Sequence, residues 1–139
     1  MKTRMYMEID SISENESFAR VAVATFVSRL NPTLEEIADI KTAVSEAVTN
    51  AIIHGYDNQE GIVYITCEID ESVIHITIED KGRGIEDVAQ AREPLFTTKP
   101  DEERSGMGFV FMEVFMDELS VESTPKEGTI VKMSKKIGE

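Results

Sequence analysis

Glu46, Asn50 and His54 recur at intervals of four, so on a helix their side chains project along nearly one line. An amide oxygen is a hard, neutral ligand that suits Mg²⁺ when the other ligands are phosphate oxygens and water. A carboxylate one turn away can orient or deprotonate a nucleophile. For any one of these residues alone, a solvated helix face explains it as well. A second group is Asp80-Lys81-Gly82-Arg83-Gly84. A buried carboxylate needs hydrogen-bond donors, and the exocyclic amine of adenine can supply one, while Gly82 and Gly84 let backbone approach the base. A tight turn is the plain alternative for the Gly-x-Gly pair. A third group is Thr97-Thr98-Lys99 followed by Arg104-Ser105-Gly106-Met107-Gly108. Glycines ahead of a helix expose unpaired amides and the positive end of the helix dipole, a setting for polyphosphate to which Lys99 and Arg104 can add charge. Neither Gly-x-x-x-x-Gly-Lys-Ser/Thr nor the glycine loop with His-Arg-Asp of eukaryotic-type kinases occurs in the chain.

The elements that must hold these groups follow from periodicity. Met5, Met7 and Ile9 alternate with polar neighbours and predict a first strand. Ser13 with Glu16, and Thr33 with Glu36, are spaced as capping boxes. The first helix carries Phe18, Val21, Ala22, Phe26 and Leu30 at helical spacing and stops before Asn31-Pro32. The second runs over 34–54 and ends at Gly55, with Ile37, Ile40, Val44, Ala47, Val48 and Ala51 on its apolar side. Asp39, Thr42, Glu46, Asn50 and Ile53 form its other stripe.

Two alternating runs, 62–69 and 73–80, predict a β-hairpin, in which Asp80 shares the parity of Ile74, Ile76 and Ile78 and so points inward. A short helix at 86–92, a long loop beyond Pro94, a helix at 108–117 and strands at 119–123 and 129–134 complete the chain. Grouped helices beside hairpin-linked strands predict an α+β fold, a two-layer sandwich with helices on one face of a mixed, mainly antiparallel sheet.

With 139 residues, a single domain over 1–139 is expected. The 14 basic and 27 acidic residues give a formal charge of −13, which repels phosphate backbones and argues against direct nucleic-acid binding. Any effect on transcription would pass through a protein. Cys67, the single cysteine, sits in an alternating apolar run and reads as a buried, inert thiol. No segment has the length and apolarity of a signal peptide or membrane span, so a cytoplasmic protein with no membrane partner is expected.

The run from Ser45 to Gly55, Asp80-x-Gly82-x-Gly84, Arg104-Ser105-Gly106-Met107-Gly108 and Gly128-Thr129 resembles, in order, the boxes of the ATPase superfamily of gyrase, Hsp90, histidine kinases and MutL. The short length and Pro94-Leu95-Phe96-Thr97-Thr98-Lys99-Pro100 resemble the anti-sigma serine kinases, the anti-sigma F factor family in particular. The resemblance implies a Bergerat-type ATP-binding fold and a protein serine/threonine kinase. Such a kinase inhibits a sporulation sigma factor, phosphorylates a serine of an anti-anti-sigma factor, and forms a homodimer. It implies that Asn50 coordinates Mg²⁺, that Glu46 is the catalytic base, and that Asp80 accepts from the adenine amine. Gly82, Gly84, Ile85, His54 and Thr129 would complete the nucleotide site. A lid containing Thr97, Thr98, Lys99, Arg104, Ser105, Gly106, Met107 and Gly108 would wrap the phosphates.

Two other classes fit part of the sequence. A module that binds ATP without transferring phosphate would need Asn50 and Asp80 but has no use for Glu46. A sensor histidine kinase would need a helical hairpin bearing its phosphoacceptor, and this chain has no room for one. Its two histidines, His54 at a helix end and His75 on the polar face of a strand, read as ordinary structural residues. Arg20 could grip an acidic partner, yet Glu16 one turn before it offers an intrahelical ion pair.

Overall fold

The structure, a computed structural model, describes residues 1–93 and 108–138. Its elements are β1 (Lys2–Asp10), α1 (Glu14–Val27), α2 (Leu34–Asn50), β2 (Ile62–Asp70), β3 (Val73–Asp80), α3 (Val88–Ala91), α4 (Gly108–Phe115), β4 (Glu118–Thr124) and β5 (Gly128–Lys136). The five strands lie in the order β1-β2-β3-β5-β4. Where a mixed sheet was expected, every neighbouring pair is antiparallel. One face of the sheet is apolar: Ile9, Val63, Ile65, Cys67, Ile69, Ile74, Ile76, Ile78, Val131 and Met133 are all buried. Against it pack Val23 and Val27 of α1, Ile40, Val44 and Val48 of α2, and Phe109 and Met112 of α4. The period-2 alternation of the strands produces this single face.

The capping box at Thr33 forms in full, with the Glu36 amide donating to Thr33 Oγ1 at 3.1 Å and the Thr33 amide donating to Glu36 Oε1 at 2.9 Å. The box expected at Ser13 does not. Ser13 already has helical dihedrals and its side chain makes no capping bond. The Glu16 carboxylate instead accepts from Ser45 Oγ of α2 at 2.6 Å, so a tertiary contact wins over the local motif.

The buried face of α1 also differs from the expected one. Ala19, Val23, Phe26 and Val27 face the core, whereas Phe18 and Val21 are 58% and 54% exposed. Both sets are apolar at helical spacing, so periodicity alone could not choose between them.

The second helix is α-helical only to Asn50, and Ala51–Gly55 forms a π turn in which the Tyr56 amide donates to Ala51 O at 2.9 Å. Such wide turns insert a residue into the helix and gather at functional sites.

Candidate functional site

Between the end of α2, the loop after β3 and the β4–β5 hairpin lies a cavity of about 500 Å³. Asn50, His54, Asp80, Gly84, Ile85, Gly108 and Thr129 all line it. Residues far apart in sequence are thus brought to one wall. Asp80 is the inward-facing last residue of β3 and is 6% exposed, as its parity predicts.

Its carboxyl accepts from the Gly82 amide at 3.0 Å. Burial pushes the Asp80 carboxyl up to about 6, with the Glu79 charge adding to the rise and the Gly82 and Thr129 amides opposing it.

The glycines around Asp80 are demanded by close packing. A Cβ on Gly55 would lie 2.6 Å from Asp80 Cγ, and one on Gly82 would lie 1.9 Å from the Gly55 carbonyl oxygen. The π turn therefore delivers Gly55 against the carboxyl of Asp80, and Gly82 closes over Gly55 with the Arg83 amide donating to Gly55 O at 2.9 Å. Gly84 has φ +75, a conformation that favours glycine, and sits against the Thr124 carbonyl of the β4–β5 hairpin. Gly82 thus shapes the wall from behind the lining residues.

At the other end of the cavity α4 begins. A Cβ on Gly108 would lie 3.2 Å from Asn50 Nδ2 and 3.3 Å from both Asn50 Oδ1 and Glu46 Oε2. Glu46 and Asn50, one α-helical turn apart, therefore both reach the backbone of Gly108 at the start of α4. A neutral amide beside a carboxylate, under the first residue of a helix, is a donor set that fits Mg²⁺ carried in on phosphate. His54 lines the same cavity, but it lies within the π turn that follows Asn50, so the regular four-residue line expected for the three does not extend to it. Its carbonyl accepts from Arg83 Nε at 2.6 Å, which anchors the loop after β3. Asp39, expected on the same stripe, is instead paired with Lys135 at 3.7 Å.

Thr97, Thr98, Lys99, Arg104, Ser105, Gly106 and Met107 lie outside the described residues. Among the described ones, His75 is exposed on the open face of the sheet. Cys67 is fully buried and its thiol is pushed up to about 12 by burial, in keeping with an inert role.

Two residues at the site were not singled out from sequence. Tyr56 donates its hydroxyl to Ile62 O and accepts from the Lys81 amide at 2.8 Å, bracing the loop that follows Asp80. Ser123 of β4 accepts from the Ile85 amide at 2.7 Å and lies 2.8 Å from Thr129 Oγ1. Its inward parity on β4 was the available signal.

Residues 13–135 match the histidine kinase-like ATPase domain family. The anti-sigma F factor of Clostridium novyi (strain NT) is 66% identical over 96% of this chain and 94% of its own length. That of Bacillus subtilis (strain 168) is 54% identical over 100% of this chain and 96% of its own. Among solved structures, the RsbU and RsbW domains of Rv1364c from Mycobacterium tuberculosis align with 97% of this chain and 32% of that one at a TM-score of 0.68 and 19% identity. The catalytic domain of histidine kinase ThkA aligns over 96% of each chain at a TM-score of 0.59 and 15% identity. These two likenesses concern the fold.

Proposed function

The chain belongs to the anti-sigma F factor family, built on a histidine kinase-like ATPase domain, and from that premise we propose that it is an ATP-dependent protein-serine kinase that also holds a sigma factor. The observation that carries the kinase reading is the meeting of Glu46 and Asn50 under Gly108, at one end of a cavity that also contains Asp80. A module that only binds nucleotide has no use for the carboxylate there.

In this reading residues 1–139 work as one ATP-binding kinase domain. Asp80 accepts a hydrogen bond from the adenine amine, with Gly84, Ile85, His54 and Thr129 around the base and Gly82 shaping the turn. Thr97, Thr98, Lys99, Arg104, Ser105, Gly106, Met107 and Gly108 enclose the phosphates. Asn50 holds Mg²⁺, which when bound neutralises charge on the phosphate oxygens. Glu46 orients the serine hydroxyl of an anti-anti-sigma factor and accepts its proton. As that oxygen bonds to the γ-phosphorus, the bond from phosphorus to the bridging oxygen breaks and ADP leaves.

The relatives are named as anti-sigma F factors, which supports a sigma factor as the inhibited partner; in this reading that factor serves sporulation. The formal charge of −13 favours control through a protein over contact with DNA. The exposed Phe18 and Val21 of α1 offer an apolar face for protein contact, including a second copy of this chain in a homodimer. No helix among the described residues is long and apolar enough to cross a membrane.

The test is transfer of labelled phosphate from ATP to the antagonist in single turnover, with sigma-factor and ATP binding measured in parallel. Glu46→Gln should slow transfer by roughly 100-fold or more while both bindings persist. Transfer at the unaltered rate would remove Glu46 from the role of base. Absence of transfer by the unaltered protein would leave a nucleotide-dependent binding module.

A further inference from the structure

Asp80, Thr129 and Ser123 lie directly opposite one another across β3, β5 and β4, on the face of the sheet that turns toward the cavity. Three hydrogen-bonding groups converge on the Ser123 hydroxyl: the Ile85 amide at 2.7 Å, the Gly128 carbonyl at 2.9 Å and Thr129 Oγ1 at 2.8 Å. A serine hydroxyl has one proton and a carbonyl has none to give. The Ile85 amide donates to Ser123, and the Ser123 proton goes to Gly128 O. The bond to Thr129 must then use the threonine's own proton. With its proton turned toward Ser123, Thr129 presents only lone pairs to the cavity, beside the carboxyl of Asp80. The wall is left with two acceptors side by side and no hydroxyl donor between them.

We propose that Ser123 is a positioning residue that sets purine selectivity by holding the Thr129 hydroxyl as an acceptor, so that a 6-amino purine is admitted and a 6-oxo purine is disfavoured. The proposal rests on reading the cavity as an adenine pocket. An amine can donate into such a wall directly or through a water, whereas an oxo group there meets acceptors and leaves polar groups unpaired. The same serine accepts from the Ile85 amide, and the Arg83 carbonyl accepts from the Lys126 amide at 2.6 Å, so two hydrogen bonds tie the Gly84 turn to the β4–β5 hairpin. Selectivity is thereby tied to a residue that does not itself line the cavity.

The experiment compares ATP and ITP, which differ at position 6 and in the N1 proton, by calorimetric titration of the whole chain. Ser123→Ala releases the Thr129 proton for donation to a 6-oxo group, so the ratio of ATP to ITP affinity should fall by about 10-fold even if the lost Ile85 contact weakens both. Ser123→Thr, which keeps a hydroxyl, should retain the ratio. Thr129→Val removes the hydroxyl through which Ser123 acts, so adding Ser123→Ala to it should leave the ratio of Thr129→Val unchanged. Thermal melts without nucleotide report folding; should Ser123→Ala not fold, Ser123→Cys, whose thiol is a weak acceptor, should lower the ratio in the same direction. A ratio unchanged in Ser123→Ala or Ser123→Cys, whatever happens to the individual affinities, overturns the proposal alone. An unaltered protein that binds ATP no better than ITP overturns the adenine reading and this proposal with it.

Discussion

The two ends of the cavity are built on different physical principles. At the Asp80 end, backbone meets backbone: a Cβ on Gly82 would lie 1.9 Å from a carbonyl oxygen, and one on Gly128 2.1 Å from the Asp80 carbonyl oxygen. At the α4 end, backbone meets side chains, and a Cβ on Gly108 would lie 3.2 Å from the Asn50 amide. Backbone held inside packed elements cannot retreat, whereas a side chain can change rotamer. The first end is therefore a rigid mould with little tolerance for change. The second can lose a functional group and keep its shape.

The largest effect should come from adding one methyl to the rigid end. Gly82→Ala forces apart the Gly55 turn and the loop after β3, and should cost about 3 kcal/mol, lowering the melting temperature by roughly 10 °C. Nucleotide binding should fall below detection, since Asp80 loses the Gly82 amide geometry as well. Calorimetric melts and titration with ATP measure both. A variant that melts and binds as the unaltered protein does would show that this end is as yielding as the other.

A smaller effect is expected at the α4 end. Asn50 is half-buried at the cavity wall and carries little of the core, so Asn50→Ala should change the nucleotide-free melting temperature by no more than about 2 °C. Affinity for Mg·ATP should fall at least ~10-fold, and much less for ATP with the metal chelated, if the amide is the metal's protein ligand. Titrations with and without Mg²⁺ separate the two. Equal losses in both would mean that Asn50 contacts the nucleotide and not the metal.

The same contrast governs what could be read from the chain beforehand. Side-chain placement at regular spacing was legible: the Glu46 and Asn50 pair, the inward Asp80, the Thr33 capping box and the 62–69 and 73–80 hairpin all follow from periods of 3.6 and 2. The departures came where tertiary contact decides. Ser45 captured Glu16 and left the Ser13 box unmade. The choice between two apolar faces of α1 was made by the sheet, leaving Phe18 and Val21 exposed. The π turn at Ala51–Gly55 carries no local signature, because what requires it is the fit of Gly55 over Asp80. Ser123 had only its inward parity to mark it, for a related reason: its partner is fixed when β5 sets it opposite Thr129.

The finest test of the comparison is pH, because the rigid end holds a carboxyl whose affinity for protons the fold has displaced upward to about 6. Its ordinary value is 3.8, so the folded protein binds this proton more tightly than the unfolded chain does. In the absence of nucleotide, the stability contributed by Asp80 is fully present below the ordinary value and is lost as pH rises through about 6. Adenine recognition runs the other way, since only the ionised carboxylate has full capacity to accept from the amine. Between pH 7 and pH 5, ATP affinity should therefore weaken by up to about tenfold while the Asp80 contribution to stability rises. Other carboxylates titrate over part of this range, so each trend is taken as the difference between the unaltered protein and Asp80→Asn, which has no proton to exchange there. Melts and titrations at matched pH supply both differences. Opposite slopes would locate the titrating group at the base-binding wall; parallel slopes would mean that the acid responsible lies elsewhere and that Asp80 meets no amine.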